Sequence, residues 1–270
     1  MIRFIRVVCL AFVALTMCCG TALAITPYDI YEGSALRQIV KRGKLVVGME
    51  LKFWPFEYVD EKGKPVGFDV DIARTLAERL GVELEIKDME WTGLIPALTS
   101  GKIDLIISGI TGTLERAKTI TFSSPYFTTG LCILASVQKA PDLADAAGLD
   151  RAGRIIAVKT GTTADIVATK RFPKATINRY QDETACAADV AAGRADAFIY
   201  DQISIAKHHK QNPETTRALL TPLTYEPFCI ALQKGDFDLS QDVGMDIASI
   251  KADGTLETLR AKHFKDILGK

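Results

Sequence analysis

Residues 67–81, Gly67-Phe68-Asp69-Val70-Asp71-Ile72-Ala73-Arg74-Thr75-Leu76-Ala77-Glu78-Arg79-Leu80-Gly81, decide the fold class. Phe68, Ile72, Leu76 and Leu80 recur every four residues, the spacing of one apolar face on a helix, and Gly81 supplies a C-terminal stop. Upstream, residues 44–48 form a short β-branched run flanked by Gly43. Downstream, residues 82–86 alternate apolar and charged side chains, as a half-exposed strand does. Strands alternating with helices predict an α/β fold with mostly parallel sheets.

The alternation continues outward. Leu94, Ile95 and Leu98 mark one face of a short helix, with Pro96 expected in its first turn and Gly101 beyond its end. Residues 103–107 read as a buried strand. A second, similar series starts near Arg154, with strands at 155–158, 175–180 and 197–199 and helices at 163–170 and 184–192. Two C-terminal helices are expected at 239–252 and 255–267, broken by Asp253-Gly254. Between the series lie two extended segments, 123–130 and 221–228. Two crossings predict a discontinuous first lobe, residues 25–127 and 226–270, with a second lobe, 128–225, inserted into it.

The composition narrows the function. Lys+Arg 33 against Asp+Glu 33 leaves no basic surface for nucleic acid or an anionic membrane. Hydrophobic residues at 48% are enough for a packed core. Arg3 and Arg6, an apolar run at 7–17 and Ala22-Leu23-Ala24 form a cleavable signal peptide, residues 1–24. The run falls short of a bilayer span, so the mature chain is expected to be soluble and periplasmic. Cys18 and Cys19 raise lipid attachment as a rival, for which Met17 is a poor flanking residue. Cleavage leaves Cys132, Cys186 and Cys229, and neither these nor His208, His209 and His263 have metal-site spacing. No metal or cofactor is indicated. Cys132 and Cys229 each follow a crossing, so a disulfide between them stays open, and His208-His209 reads as part of a polar helix face.

With Gly67-Phe68-Asp69-Val70-Asp71-Ile72 stand Pro55-Phe56-Glu57-Tyr58, Trp91-Thr92-Gly93-Leu94-Ile95-Pro96-Ala97-Leu98, Gly101-Lys102-Ile103-Asp104 and Gly109-Ile110-Thr111-Gly112-Thr113-Leu114-Glu115-Arg116. Ala157-Val158-Lys159-Thr160-Gly161-Thr162-Thr163, Gly193-Arg194-Ala195-Asp196-Ala197 and Asp201 follow. In content and order this resembles extracellular solute-binding protein family 3, the polar amino-acid receptors of ATP-driven importers. The resemblance implies a periplasmic-binding-protein type II-like fold, two α/β lobes on a two-segment hinge, closing on a free amino acid. It implies membrane permease subunits of an ABC importer as partners and a monomeric receptor.

A free amino acid is a zwitterion, so its receptor needs a cation and N–H donors for the carboxylate and an anion for the ammonium. Arg116 is the carboxylate candidate: Thr113 as N-cap places it in the first turn of a helix, and a guanidinium grips a carboxylate with two parallel bonds. Thr111 is in reach, and Thr162 and Thr163 open a helix on the other lobe. Asp201 ends a strand, where open α/β sheets place ligands, and is the ammonium candidate; a helix N-cap is its alternative role. The carbonyl of Ser108 or Gly109 would complete that end. Phe53 and Trp91 are the aromatic walls the resemblance implies, with Trp54 competing. Glu50 and Lys159 are placed to bracket a carboxamide, and this acid–lysine pair resembles the glutamine receptors, although Glu50 replaces their aspartate and Tyr200 their histidine. Glutamate, aspartate, histidine or a basic amino acid remain alternative ligands. The rival class is a periplasmic dehydratase on the same fold, which lacks the ammonium-binding aspartate. A sensor would have to signal through a separate receptor.

Overall fold

The computed structural model describes residues 33–268, with side chains through Lys265. The expected signal segment 1–24, with Cys9, Cys18 and Cys19, lies outside the described residues. The chain opens with α1 (Ala35–Arg42), β1 (Lys44–Met49) and a meander of β2 (Lys52–Phe53), β3 (Glu57–Val59) and β4 (Pro65–Val66). Next come α2 (Phe68–Leu80), β5 (Glu83–Asp88), α3 (Trp91–Thr99), β6 (Leu105–Ile106) and β7 (Ile120–Phe122). β8 (Phe127–Thr129) leads to β9 (Leu131–Ser136), β10 (Ile155–Lys159), α4 (Thr163–Arg171) and β11 (Thr176–Tyr180). Then follow α5 (Glu183–Ala191), β12 (Ala197–Asp201), α6 (Gln202–Gln211) and β13 (Thr216–Leu219). β14 (Glu226–Phe228), β15 (Ala231–Gln233), α7 (Phe237–Ala252) and α8 (Thr255–Leu268) complete it.

The four-residue repeat does form α2: Phe68, Ile72 and Leu76 are enclosed, and Gly81 ends the helix at φ +68° with its N–H on the carbonyls of Ala77 and Glu78. Two five-stranded sheets result, ordered β5-β1-β6-β15-β7 and β11-β10-β12-β9-β13. In each, the first three strands are parallel and the fourth runs antiparallel to the third. A repeated Gly-x-x-Asp explains part of the likeness. Asp104 Oδ2 accepts from Val46 N at 2.7 Å, and Asp196 Oδ2 accepts from Ile155 N at 2.9 Å. Each aspartate thereby pins the strand that stands second in its sheet, β1 or β10.

Both crossings contribute to one ribbon between the sheets. β8 and β14 pair only with each other, antiparallel, with Phe127 opposite Phe228 and Thr129 opposite Glu226. Phe56 anchors the ribbon. Its ring lies 5.0 Å from Phe127, 5.3 Å from Phe228 and 5.1 Å from Phe264, and stacks on Phe53 at 4.7 Å.

Two local expectations need correction, and one open question is answered. The helix carrying Pro96 begins at Trp91, so the proline stands in its second turn rather than its first. Glu90 and Gly93 form a tight opening turn that starts the helix early, and a nine-residue helix tolerates the missing N–H. His208 is 2% exposed, not on a polar face, because α6 turns it toward buried Glu183. The three cysteines among the described residues are free and buried, so Cys132 and Cys229 are not bridged. Among the described residues no helix is long and apolar enough to cross a membrane.

Truncating the aromatic hub should be costly. Phe56→Ala is expected to lower unfolding free energy by about 3–5 kcal/mol, read from urea denaturation.

Candidate functional site

β1, β10 and β12 deliver their C-terminal ends to one crevice between the sheets, with Glu50 just past β1, Lys159 closing β10 and Asp201 closing β12. Ten of the eleven expected site residues line it; Lys159 reaches it through its ion pair with Glu50.

Asp201 has two distinct oxygens. Oδ1 caps α6, accepting from Ile203 N at 2.9 Å and Ser204 N at 3.0 Å. Oδ2 is enclosed with no hydrogen-bond partner. The N-cap role and an unmet acceptor thus coexist in one carboxylate. Burial first, and the nearby Glu183 charge second, raise its pKa to about 6.

Arg116 stands on the opposite wall. The expected helix is instead a single 3-10 turn, Arg116–Lys118, because the chain must extend again at Ile120 to enter β7. Thr113 Oγ1 still accepts from Arg116 N, at 3.2 Å, but no helix terminus adds its dipole here. The guanidinium donates to the Thr111 carbonyl at 3.0 Å and, across the crevice, to the Gly161 carbonyl at 3.3 Å. It lies 5.3 Å from the Trp91 ring centroid. Burial lowers its pKa while Glu226 and Tyr200 oppose the shift, and an arginine remains charged at neutral pH.

Glu50 and Lys159 join the two walls through a buried ion pair, with side chains 2% and 4% exposed. Burial raises the Glu50 pKa against the pull of Lys159, and its Oε1 has no partner. Phe53 forms the floor, meeting Tyr200 edge-on at 5.8 Å. Gly109 lets it approach: φ is +54°, and a Cβ there would sit 2.5 Å from the Phe53 ring. Ser108 Oγ accepts from Glu50 N at 3.0 Å and donates to Glu57 Oε1 at 2.6 Å. Thr162 Oγ1 donates to the Lys159 carbonyl at 2.7 Å and caps α4, whose first residue is Thr163. Trp54 is half-buried and not part of the lining.

The lining also holds residues that sequence reasoning missed: Glu57, Leu131, Glu226 and Phe228. Glu226 Oε2 accepts from Thr111 Oγ1 at 2.8 Å. Its signal was an acid in the otherwise uncharged crossing at 221–228, where charge has no packing reason to be.

A two-lobed α/β fold with opposite charges facing a shared crevice defines a type II binding protein for a zwitterionic solute. The family model for bacterial extracellular solute-binding proteins, family 3, matches residues 45–266, and the chain belongs to that family. The L-cystine-binding protein TcyJ of Escherichia coli (strain K12) is 32% identical over 229 residues, 85% of each chain. The crystal structure of the ancestral amino acid-binding protein AncCDT-1, a precursor of cyclohexadienyl dehydratase, is 36% identical with a TM-score of 0.79, covering 86% of this chain and all of that one. An ancestral arginine-binding protein bound to glutamine is 36% identical with a TM-score of 0.76, covering 83% and 98%. The protein is accordingly an amino-acid-binding component of an ABC importer.

An ammonium partner at Asp201 has a pH signature. If the ligand's ammonium pairs with the ionised carboxylate, protons compete with it below a pKa of about 6. Apparent affinity should fall about tenfold from pH 7.5 to pH 5, and Asp201→Asn should bind weakly with a flat profile. Calorimetry across that range checks it.

Proposed function

We propose that the crevice holds a free polar L-amino acid by its zwitterionic head, with carboxylate on Arg116 and ammonium on Asp201, and that glutamine is the ligand. The observation that carries the reading is the pairing across one crevice of a guanidinium with a buried carboxylate oxygen, Asp201 Oδ2, that has no partner. The backbone N–H groups of Thr111 and Thr163 supply further donors around the carboxylate beside Thr162, whose hydroxyl is held by the Lys159 carbonyl, and the Ser108 or Gly109 carbonyl a further acceptor for the ammonium. Phe53 and Trp91 clamp the aliphatic stem.

Glutamine follows from the far end. Glu50 and Lys159 neutralise each other, so a side chain with net charge gains one partner and meets one repulsion there. A carboxamide suits both: its oxygen accepts from Lys159 and its N–H meets the unpartnered Glu50 Oε1. A second reading, cystine, is favoured by the same pair and by TcyJ, because a second zwitterionic head offers a carboxylate to Lys159 and an ammonium to Glu50.

In this proposal the lobes are residues 25–127 with 226–270, and 128–225, in a periplasmic, monomeric receptor released by cleavage after Ala24. Arg116 comes from the first lobe, Lys159 and Asp201 from the second, so contacts are complete only on closure and ligand favours the closed state. The closed face is what the permease recognises. Retention of both Arg116 and Asp201 favours binding over a dehydratase reaction.

The test is to refold the protein free of carried-over ligand and measure thermal shifts with glutamine, cystine, arginine and glutamate. Glutamine should give the largest shift; a larger one with cystine selects the second reading, and no shift with any amino acid rejects both. Leaving a buried charge unpaired costs roughly 3–5 kcal/mol. Arg116→Ala and Asp201→Ala should therefore each weaken binding at least a hundredfold by calorimetry with the fold retained. Solution scattering should show compaction at saturating ligand.

A further inference from the structure

Two carboxyl groups, Glu57 on β3 and Asp69 at the start of α2, lie fully enclosed against the Ser108–Gly109 edge of the crevice. Each has one oxygen with conventional donors. Glu57 Oε1 accepts from Ser108 Oγ at 2.6 Å. Asp69 Oδ2 accepts from Gly109 N at 2.7 Å and from Tyr126 Oη at 2.7 Å. The other oxygens, Glu57 Oε2 and Asp69 Oδ1, are enclosed without a donor, and the two groups sit side by side: Asp69 N donates to the Phe56 carbonyl at 2.8 Å, next to Glu57, and their bonded oxygens are held by the adjacent residues Ser108 and Gly109. Two acceptors can bond only through a proton carried by one of them. Two ionised carboxylates this close, away from water, would repel strongly, and the donors from Ser108, Gly109 and Tyr126 reach only their other oxygens.

We propose that Glu57 Oε2 and Asp69 Oδ1 share a single proton, and that this singly protonated pair is the positioning element for the Ser108–Gly109 edge of the amino-acid pocket. Hydrogen-bond direction then becomes fixed along the whole chain of groups. Asp69, ionised, receives Gly109 N–H, the Tyr126 hydroxyl and the Glu57 proton. Glu57, neutral, keeps its other oxygen as acceptor for Ser108, whose own oxygen is left to receive the Glu50 N–H. Glu50, Lys159, Tyr126 and His263 are the titratable groups that face the pair. Burial, then the Asp69 charge, push the Glu57 carboxyl well above its ordinary range, which assigns the proton to Glu57.

The positioning half rests on the reading of the crevice as an amino-acid site; the proton is measured without ligand. Infrared difference spectra of the ligand-free protein at pH 7.5, wild type minus Glu57→Gln, should show a protonated-carboxyl C=O band that shifts in D2O. Absence of that band overturns the shared proton. Glutamine amide mimics the neutral acid, donating to Asp69 and accepting from Ser108. Glu57→Gln should therefore bind the amino acid within about threefold of wild type, while Glu57→Leu, similar in bulk but without donor or acceptor, should weaken binding more than tenfold. Equal loss in both variants, or none in Glu57→Leu, overturns the positioning role. Because a raised folded-state pKa costs the wild type stability as pH rises from the unfolded value, the melting temperature of Glu57→Gln relative to wild type should climb with pH. A flat difference contradicts a protonated Glu57. If no amino acid binds but the band is present, the functional reading fails while the shared proton stands.

Discussion

The β8–β14 ribbon is the constraint on which the molecule depends. Each segment alone is a three-residue strand with no other sheet to join. Paired, they set Phe127 against Phe228 and bury both in the cluster around Phe56. Aromatic edge contacts have preferred geometry, so the cluster fixes where the ribbon leaves the first sheet. It also fixes the strand ends of one sheet opposite those of the other, and the binding crevice is the space between them. Hinge and site are chemically continuous: Thr111 bridges to Phe228 through its backbone and to Glu226 through its hydroxyl, while its carbonyl holds Arg116. A shift of the ribbon is felt at the guanidinium without any intervening loop.

Incomplete hydrogen bonding concentrates where the lobes meet. Interiors normally satisfy their polar atoms, yet Glu50 Oε1 and Asp201 Oδ2 are enclosed and unmatched on opposite sides of one crevice. Such groups destabilise the fold unless something supplies donors. An ammonium or an amide does so, and a hydrocarbon does not. In the proposed site, selectivity for a polar zwitterion over an apolar solute of equal size would reside in atoms whose valence for hydrogen bonds the protein leaves open.

Much of the architecture was legible because it rests on local rules. The α2 repeat, its glycine stop and the Asp201 strand end each act within a few residues of themselves. What escaped depended on distant partners. The long apolar strand β9 was not separated from the crossing before it, since its antiparallel place between β12 and β13 is set by residues far along the chain. Arg116 was expected on a helix because Thr113 does cap its amide; the need to enter β7 cut the turn short. His208 looked solvent-facing beside His209 and Lys210, and only the packing of α5 against the same sheet brings Glu183 to it. Glu226 was passed over because a lone acid in an extended segment normally means solvent, whereas this one turns inward to Thr111.

The position of β15 has a consequence for how the molecule is made. It lies between β6 and β7, and β7 has no other neighbour in its sheet. Strands synthesised early therefore wait, with a gap among them, until the entire intervening body has been produced. The sheet begun first is completed last, so a partly emerged chain retains open strand edges in it until β15 arrives.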